Sequence, residues 1–331
     1  MRVVVLTSSY PRHAEDFAGR FVADSVERLR ARGLQMDVVG PTAFRDFGLA
    51  EAGIAAGLRR KPWLAPPLLA SMVRATRRAA RDADLVHAHW LQLGLVAMAS
   101  DRPYVVTLHG SDVELAHRSR RLSRVILRRA RAVVCVSNSL AEAAAALGAS
   151  DPVVIPNGVE LPDAVGPEET PPHVLFAGRL SPEKGVEDLL EASAGLDVRI
   201  VGDGPLRDRV PSASGFVSRA ELSEFYGRAA VVCCPSRREG FGLVAAEAMA
   251  HGRPVVATRV GGLRDLVRHR ETGLLVPPED PAALRLALDE LLGDKSLRAR
   301  LGHAGREMVA SDFEWSTVTD QLQVVYRAAL A

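Results

Sequence analysis

Apolar runs of strand length alternate along this chain with longer segments whose apolar residues have helical spacing. A βα series of this kind predicts a parallel sheet covered by helices on both faces, with ligands bound at the carboxyl ends of the strands. In the first half, strands are predicted at residues 3–6, 37–39, 85–87, 104–108, 132–136 and 153–155, and helices at 17–32, 68–81 and 119–130.

An aperiodic segment separates this series from a second one. Residues 157–173 contain four prolines and two glycines, which is typical of a linker. A chain of 331 residues can hold two domains, each with its own core. We therefore predict an α/β fold with two Rossmann-like parallel-sheet domains facing a central cleft, at residues 1–160 and 161–314. In the second half, strands are predicted at 174–177, 198–201, 215–217, 230–234, 254–257 and 274–276, and helices at 186–192, 243–250, 282–292 and 297–310.

The composition is that of a soluble globular protein, with 47% hydrophobic and 25% charged residues. No apolar run approaches the roughly 18 residues of a membrane-spanning helix, and the short apolar run after Met1 predicts a first strand rather than a signal peptide. We expect a cytoplasmic protein. Cys135, Cys233 and Cys234 fall in predicted strands without metal-type spacing, which favours buried, reduced thiols.

Positive charge is concentrated in the first half. Residues 1–165 carry 22 Lys and Arg against 16 Asp and Glu, and residues 166–331 carry 20 against 24, so +6 and −4 sum to the net +2. Arginines recur at helical spacing at positions 74, 77, 78 and 81, and again between 120 and 131. Two explanations stand: solvated helix faces, or contact with a phosphate-bearing acceptor or an anionic membrane surface at the inner face of the membrane. We expect no nucleic-acid partner.

The turn between the predicted strand 230–234 and the helix that begins near Leu243 is the strongest candidate for a binding site. Gly240 and Gly242 leave the backbone bare where that helix begins, so its unpaired N–H groups can face a phosphate. Glu239 and Glu247 bracket the turn, and their carboxylates can accept hydrogen bonds from sugar hydroxyls. The competing interpretation is a helix-terminal carboxylate beside an ordinary exposed one.

A second loop, at residues 178–185, carries two cations ahead of a predicted helix. Arg179 can bind a diphosphate bidentately and Lys184 as a point charge. Taken alone, the two side chains also fit ordinary surface charges on a turn.

Together these two loops resemble a known family. Pro-Ser-x-x-Glu-Gly-Phe-Gly-Leu-x-x-x-Glu-Ala-Met-Ala-x-Gly-x-Pro-Val-Val-Ala at 235–257 and Gly-Arg-Leu-x-x-x-Lys-Gly at 178–185 resemble the donor-binding signatures of retaining glycosyltransferases of family 4, which have the GT-B fold. The resemblance covers nearly the whole chain and is most specific between residues 175 and 276. It also implies that the last helix, residues 315–331, packs back on the first domain.

The resemblance implies roles for single residues. Glu239 would face the hydroxyls of the transferred sugar, Glu247 the ribose, and Arg179 and Lys184 the diphosphate. The other donor-binding residues that it implies are Gly240, Phe241, Gly242 and Leu243 through their backbone, Gly202 of the Gly-Asp-Gly-Pro turn, and Val217 and Ser218 beside the base.

In the first domain the resemblance rests on the motif His-Gly-x-Asp. His109 follows the predicted strand 104–108, where it can hydrogen-bond the transferred sugar or the acceptor with a charge that can switch near neutral pH, or can serve as a packing or capping histidine. The resemblance favours the functional role, and it includes Asp112, for which an N-cap is the alternative. The chain departs from the family in its first loop. Many members carry a Gly-Gly pair there, whereas this chain has only Gly19, which would take over the close approach to phosphate or acceptor.

A metal site is the rival hypothesis. Asp82 and Asp84 spell the Asp-x-Asp string of another glycosyltransferase fold, but they precede a strand, at the edge of a parallel sheet opposite to its ligands. His87 and His89 share one strand face without an evident third ligand, which favours packing or capping. We therefore expect no metal and no cofactor.

The expected activity is metal-independent transfer, with retention, of a hexose from a nucleoside-diphosphate sugar of uridine or guanosine. The acceptor hydroxyl belongs to a glycan, a lipid-linked saccharide or a small molecule. The catalytic candidates are His109, Glu239, Arg179 and Lys184. The alternatives are an epimerase or phosphorylase of the same architecture, and a catalytically silent protein that binds sugar nucleotides.

Overall fold

The computed structural model describes residues 1–13, 16–49, 53–111, 113 and 119–331. The chain divides into two compact units. Unit 1 comprises Met1–Gly158 and Val318–Ala331, and unit 2 comprises Val159–Thr317. Within the described residues, no helix is both long and apolar enough to cross a membrane.

Unit 1 is built on a sheet of parallel strands in the order β2-β1-β3-β4-β5-β6. Its four inner strands are buried on both faces, as expected when helices cover both sides of a sheet, whereas the two edge strands are partly exposed. The strands are β1 Arg2–Leu6, β2 Gln35–Val39, β3 Leu85–His89, β4 Tyr104–Leu108, β5 Ala132–Cys135 and β6 Val153–Val154.

The helices of unit 1 connect these strands and flank the sheet. The first helix is preceded by Gly19, its N-cap, whose positive φ of 65° suits the turn into the helix. The described helices are α1 Arg20–Ala31, α2 Ile54–Arg60, α3 Ala65–Ala79, α4 Gly94–Met98, α5 Arg120–Arg129, α6 Asn138–Leu147 and the C-terminal α13 Trp315–Leu330.

The C-terminal helix is attached to unit 1 by polar contacts as well as by its apolar face. The buried hydroxyl of Tyr326 lies 2.7 Å from Nδ1 of His87 in β3, and Asp320 pairs with Arg32. The last residues of the chain therefore belong to unit 1, although the whole of unit 2, Val159–Thr317, precedes them in the sequence.

Unit 2 is also an α/β unit, with parallel strands in the order β11-β10-β9-β7-β8. The strands are β7 Val174–Ala177, β8 Val198–Val201, β9 Val231–Cys234, β10 Val255–Thr258 and β11 Gly273–Val276. The helices are α7 Val186–Ala192, α8 Arg219–Arg228, α9 Leu243–Ala250, α10 Gly261–Leu266, α11 Pro281–Gly293 and α12 Lys295–Asp312. The prediction of two parallel-sheet domains is confirmed.

One predicted strand is wrong. Residues 215–217 form no strand: Gly215 has a φ of 76° and makes a single antiparallel bridge with Gly202. The chain then turns into α8, which begins with a capping box in which Ser218 and Glu221 bond each other's backbone N–H. Because Gly215 has a left-handed backbone and Ser218, three positions later, already caps a helix, there is no room for a strand between them.

Three arginines of unit 2 hold the linker to that unit. Arg298 makes two hydrogen bonds to Glu168, of 3.0 and 2.7 Å, and Arg306 donates to the carbonyl of Pro162 at 2.7 Å. Arg253 donates to the carbonyl of Gly166. These contacts give a segment without regular structure fixed partners within its own unit.

The three cysteines are free and buried, as predicted: Cys135 lies in β5, and Cys233 and Cys234 in β9. Burial raises the pKa of Cys234 to about 12, so its thiol stays protonated at neutral pH.

Candidate functional site

Three loops of unit 2 leave the carboxyl ends of neighbouring strands and are bonded to one another. The loop after β7 carries Arg179 and Lys184, the loop after β8 begins at Gly202, and the loop after β9 carries Glu239. This is the edge of a parallel sheet at which ligands bind in such folds.

The first and third loops are joined by an ion pair at the centre of the site. Nζ of Lys184 lies 2.6 Å from Oε2 of Glu239, and Oγ of Ser236 donates to the same oxygen at 3.3 Å. The two charged side chains are 31% and 18% exposed, so the pair is partly screened from water and remains accessible to a ligand. A second tie joins the loops through the backbone, since the N–H of Arg237 donates to the carbonyl of Glu183 at 2.9 Å.

Glycines allow the loops to approach this closely. A Cβ on Gly185 would overlap the carbonyl oxygen of Pro235, and a Cβ on Gly202 would overlap that of Gly178. A Cβ on Gly261, at the start of α10, would overlap the carbonyl oxygen of Glu239. The glycines of the site therefore hold the loops against each other, a requirement that motif spacing alone does not reveal.

Arg179 is the other predicted diphosphate ligand. It is exposed at the mouth of the same loop, and among the described residues the structure records no hydrogen bond or ion pair for it. Its charge acts on the nearby Glu183. Burial raises the pKa of Glu183, but hydrogen bonds to its carboxylate and the charges of Arg179 and Lys184 together outweigh burial and lower the pKa below its usual value. Two cations thus lie on one loop, one paired and one available.

Gly242 is the N-cap of α9 and has a φ of 104°. The first N–H groups of α9 point out of the helix, as in any helix start, and the helix dipole adds partial positive charge there. The side chain of Phe241 is buried against Phe313, with ring centroids 5.7 Å apart, so only its backbone can contribute to a site. Gly240 and Leu243 complete this turn.

Glu247 lies on the second turn of α9 and has a structural partner. The buried hydroxyl of Tyr226 donates to Oε2 of Glu247 at 2.9 Å. Burial raises the pKa of Tyr226 well above its usual range, and the carboxylate of Glu247 raises it further. The tyrosine thus stays a donor and holds the carboxylate in one orientation.

The loop after β8 contains a residue that the motifs do not mark. Phe216 is 70% exposed and follows Gly215, whose carbonyl accepts from the N–H of Gly202 at 2.8 Å. Ser218 caps α8, and Val217 lies between them, half-buried. An exposed aromatic ring so close to the loop at Gly202 is a candidate surface for a nucleobase. An exposed phenylalanine between a glycine and a helix cap is the signal that could have found it.

Unit 1 has its own cluster of polar side chains, where β3 and β4 end. Nδ1 of His89 lies 3.0 Å from Nε2 of His109, with the two rings stacked, and the neighbouring His87 contacts the hydroxyl of Thr107 at 2.7 Å. Trp90 and Phe21 pack against His109, with ring centroids 5.0 and 4.9 Å from its own. His87 and His89 thus have the packing role that their pattern favoured.

The predicted charge switch of His109 near neutral pH is wrong. Burial, together with the repulsion that a protonated His109 would meet from a protonated His87, lowers the pKa of His109 to about 3. Burial lowers the pKa of His87 to about 3 as well. His109 is half-buried, with its ring packed against those of Phe21, His89 and Trp90. Because this packing removes much of the water around the imidazole, the charged form is disfavoured and His109 is neutral at physiological pH.

The remaining predicted residues of unit 1 are placed as follows. Gly19 packs so closely on the carbonyl of Ser9 that a Cβ would overlap it, and its contact with a ligand remains a prediction. Asp112 lies outside the described residues. Asp84 accepts a hydrogen bond from the backbone N–H of Arg2 at 2.7 Å, at the amino end of β3. No group of three or more His, Cys, Asp or Glu side chains suited to a metal ion occurs in the part of the chain that the structure describes.

Two family models match this chain. The model described as glycosyl transferases group 1 matches residues 160–308, and the model described as glycosyltransferase family 4 matches residues 18–162. The first match spans all three loops of the candidate site, and the second spans the histidine cluster of unit 1.

Known proteins agree with the family models. Glycogen synthase of Mycobacterium tuberculosis is 33% identical over 324 residues, which cover 86% of this chain and 75% of that protein. Among solved structures, sucrose-phosphate synthase from Thermosynechococcus elongatus superposes with a TM-score of 0.82 at 24% identity, covering 98% of both chains. Anabaena HepE in complex with UDP-glucose has a TM-score of 0.76 at 19% identity, covering 99% of this chain and 100% of that one.

Proposed function

This chain belongs to the group 1 glycosyltransferases, and from that premise we propose that it transfers a hexose from a UDP- or GDP-sugar to an acceptor hydroxyl, with retention and without a metal ion. The observation that carries the proposal is the ion pair between Lys184 and Glu239, whose charged atoms lie 2.6 Å apart beside the start of α9. The pair places a cation that can bind phosphate next to a carboxylate that can accept hydrogen bonds from sugar hydroxyls. A ligand that satisfies both must carry phosphate and sugar hydroxyls together.

Negative charge develops on the departing nucleoside diphosphate as the bond to the sugar breaks. Lys184 and Arg179 supply two positive charges on one loop, and the N-terminus of α9 supplies partial positive charge. These groups are set in place before the reaction, so they stabilise the leaving group without rearrangement. A protein that offers this much positive charge does not need a divalent cation for the same purpose.

In the proposed mechanism Glu239 is not a nucleophile, and retention results because the acceptor attacks the sugar from the face that the leaving group vacates. Oε2 of Glu239 is already engaged by Lys184 and Ser236, which suits a carboxylate that accepts hydrogen bonds from the sugar rather than one that attacks it. The acceptor is then deprotonated by a phosphate oxygen of the leaving group, on the face that this group vacates. The neutral His109 donates or accepts a hydrogen bond at the sugar or the acceptor.

We propose uridine diphosphate as the nucleotide of the donor, with guanosine diphosphate as the alternative. The similar Anabaena HepE was solved in complex with UDP-glucose, which supports a uridine donor for a chain of the same fold. In this chain the base would lie beside Gly202, Val217 and Ser218, with Phe216 offering an aromatic face. The acceptor is a glycan, a lipid-linked saccharide or a small molecule.

The proposal is tested by a panel of UDP- and GDP-sugars. We expect one nucleotide to raise the thermal unfolding midpoint, because a ligand bound only by the folded state stabilises it by mass action. Release of the nucleoside diphosphate should then require an acceptor, continue in EDTA, and give a product whose anomeric configuration, read by NMR, equals that of the donor.

Each competing function predicts a different result in that assay. An epimerase converts the donor without releasing the nucleoside diphosphate, and a phosphorylase requires inorganic phosphate. Binding without any turnover would identify a silent binding protein. Activity lost in EDTA and restored by Mn²⁺ would contradict the metal-free mechanism.

The two glutamates should separate sugar recognition from nucleotide recognition. Glu239→Gln should lower turnover yet leave affinity for the bare nucleoside diphosphate within about threefold, under roughly 1 kcal/mol, because it also frees Lys184 for the diphosphate. Glu247→Gln keeps an oxygen for Tyr226 but loses the charge that we assign to the ribose, so it should weaken the diphosphate itself. Titration calorimetry and initial rates compare them, and the opposite pattern would reverse the two assignments.

A further inference from the structure

The segment that runs from α2 through α3 is strongly basic and carries exposed apolar side chains. Residues 53–81 contain seven Lys and Arg and no Asp or Glu. Three of the cations, Arg59, Arg60 and Lys61, occupy consecutive positions and are exposed. Trp63, two positions later, is 67% exposed. Leu69, one turn into α3, is 37% exposed. Large aromatic side chains are normally more buried than this in a folded protein.

The helix α5 repeats the pattern. Residues 119–141 contain six arginines and no acid, and the exposed apolar side chains here are Leu122 and Val125, at 43% and 42%. These two are one turn apart, so they lie side by side on the helix surface, with Arg121 and Arg124 beside them.

The two helices belong to one layer of unit 1. Both α3 and α5 contact the short helix α4 between them. Arg77 of α3 donates to the carbonyl of Ala99 at 2.6 Å, and Arg129 of α5 donates to the sulfur of Met98 at 3.6 Å, so the two helices reach the same end of α4. We define the basic face as the exposed surface of residues 59–81 together with that of α5.

The apolar side chains have a common place on this face. In a βα unit the helix runs antiparallel to the strands, so the N-terminal halves of α3 and α5 lie toward the carboxyl edge of the sheet. Trp63 and Leu69 occupy that end of the first element, and Leu122 and Val125 that of the second. Arginines fill the other half, at 77, 78 and 81 and at 128 and 129.

The cations of the basic face differ in whether a carboxylate lies close enough to neutralise them. Arg77 pairs with Asp101 at 3.6 Å, with both side chains more than half exposed. For Arg59, Arg60, Lys61, Arg74 and Arg78, by contrast, the structure records no carboxylate within ion-pair distance among the residues it describes. The charge of the basic face is therefore available to a partner.

We propose that the basic face docks on the surface of a bilayer that contains anionic phospholipids. Solvated helix faces explain the arginines but leave Trp63 and Leu69 exposed to water at a cost, and a soluble polyanion gains nothing from them. An anionic bilayer uses both features, because tryptophan favours the interface and each cation near the surface adds attraction. The inference does not depend on the identity of the donor.

Vesicle binding of the full chain tests the proposal. We expect co-sedimentation with vesicles of phosphatidylcholine and phosphatidylglycerol, loss of binding at high salt, and little binding to phosphatidylcholine alone. Tryptophan emission should shift to the blue on binding, because Trp63 leaves water. The other two tryptophans should contribute little to the shift, since Trp90 is packed against His109 and Trp315 is already buried. Trp63→Phe should keep most of the binding and lose most of the shift.

Two pairs of matched variants separate charge from apolar contact. Arg59→Gln, Arg60→Gln and Lys61→Gln together should lower partition onto anionic vesicles by about a hundredfold. The control removes three exposed arginines of unit 2, at 228, 270 and 300, and should change it little. Trp63→Ser should lower partition by about tenfold, and Leu286→Ser, at a side chain 72% exposed in unit 2, should not.

The outcomes decide the matter. All substituted side chains are exposed, so unchanged thermal midpoints verify folding in every variant. Equal losses in both triple variants would show that net charge alone drives binding and would overturn a docking surface. Competition by soluble polyphosphate with no blue shift and no effect of Trp63→Ser would identify a polyanion surface and overturn the bilayer. Equal binding to neutral vesicles would overturn it as well.

Discussion

Replacing Lys184 with methionine is expected to lower turnover by about 10²–10³-fold while leaving the protein folded. The substitution keeps most of the length of the side chain and removes its positive charge, which lies 2.6 Å from Glu239. In the proposed mechanism this charge faces the departing diphosphate. Loss of one preorganised group that stabilises developing negative charge typically has an effect of this size. The side chain is 31% exposed, so the cost to stability should be small. Initial rates with the identified donor and the thermal midpoint measure the two effects.

Another lysine of unit 2 provides the control. Lys295 is exposed at the start of α12, and Lys295→Met should leave turnover unchanged. In the double variant with Glu239→Gln, the losses should be clearly less than additive, because the two side chains act as one unit. Full turnover in Lys184→Met would remove this residue from the site, and strictly additive losses would show that the ion pair is incidental.

Replacing Arg298 with alanine is expected to destabilise unit 2 by about 3–5 kcal/mol. The guanidinium makes two hydrogen bonds to Glu168 and donates to the carbonyls of Leu291 and Leu292 at 2.7 and 2.9 Å, and its side chain is only 6% exposed. Its loss leaves two carbonyls and a carboxylate without a donor in a poorly hydrated place. Chemical denaturation should show the loss as a lower midpoint with an unchanged slope.

Arg300 on the same helix is the matched control. It is exposed and makes one hydrogen bond of 3.2 Å, so Arg300→Ala should change stability by less than about 0.5 kcal/mol. Hydrogen bonding to Arg298 lowers the pKa of Glu168 in the folded protein. The difference between wild type and Arg298→Ala should therefore be full above the unfolded pKa of Glu168 and shrink as the pH falls through its folded pKa. A loss below 1 kcal/mol would show that the pair is replaced by water.

Much of the fold could be predicted because it is encoded locally. The bounds predicted for β4, β7 and β8 match the structure, and short helices such as α4 and α10 were missed because five or six residues show too little periodicity. The false strand at residues 215–217 has the same origin. Three residues of suitable composition cannot reveal the left-handed Gly215 that interrupts them.

The sequence predicts the members of the candidate site but not their geometry. The motifs name Arg179, Lys184, Glu239 and Glu247 because the spacing within each loop is a local property. That Lys184 and Glu239, 55 residues apart, form an ion pair is decided by the adjacency of β7 and β9 in the sheet. Phe216 was missed because exposure is a property of the folded chain.

Local patterns were therefore sufficient to predict the two parallel-sheet units, the loops of the candidate site and the family to which the chain belongs. Hydrophobic period, turn residues and motif spacing all act over a few neighbouring residues. The contacts between distant segments depend instead on tertiary packing. The hydroxyl of Tyr326 contacts His87 across 239 positions of the sequence. Burial keeps the imidazole of His109 neutral, so its charge does not change near neutral pH. The physical reason is that a pKa depends on desolvation and on nearby charges, and both exist only after distant segments have packed together.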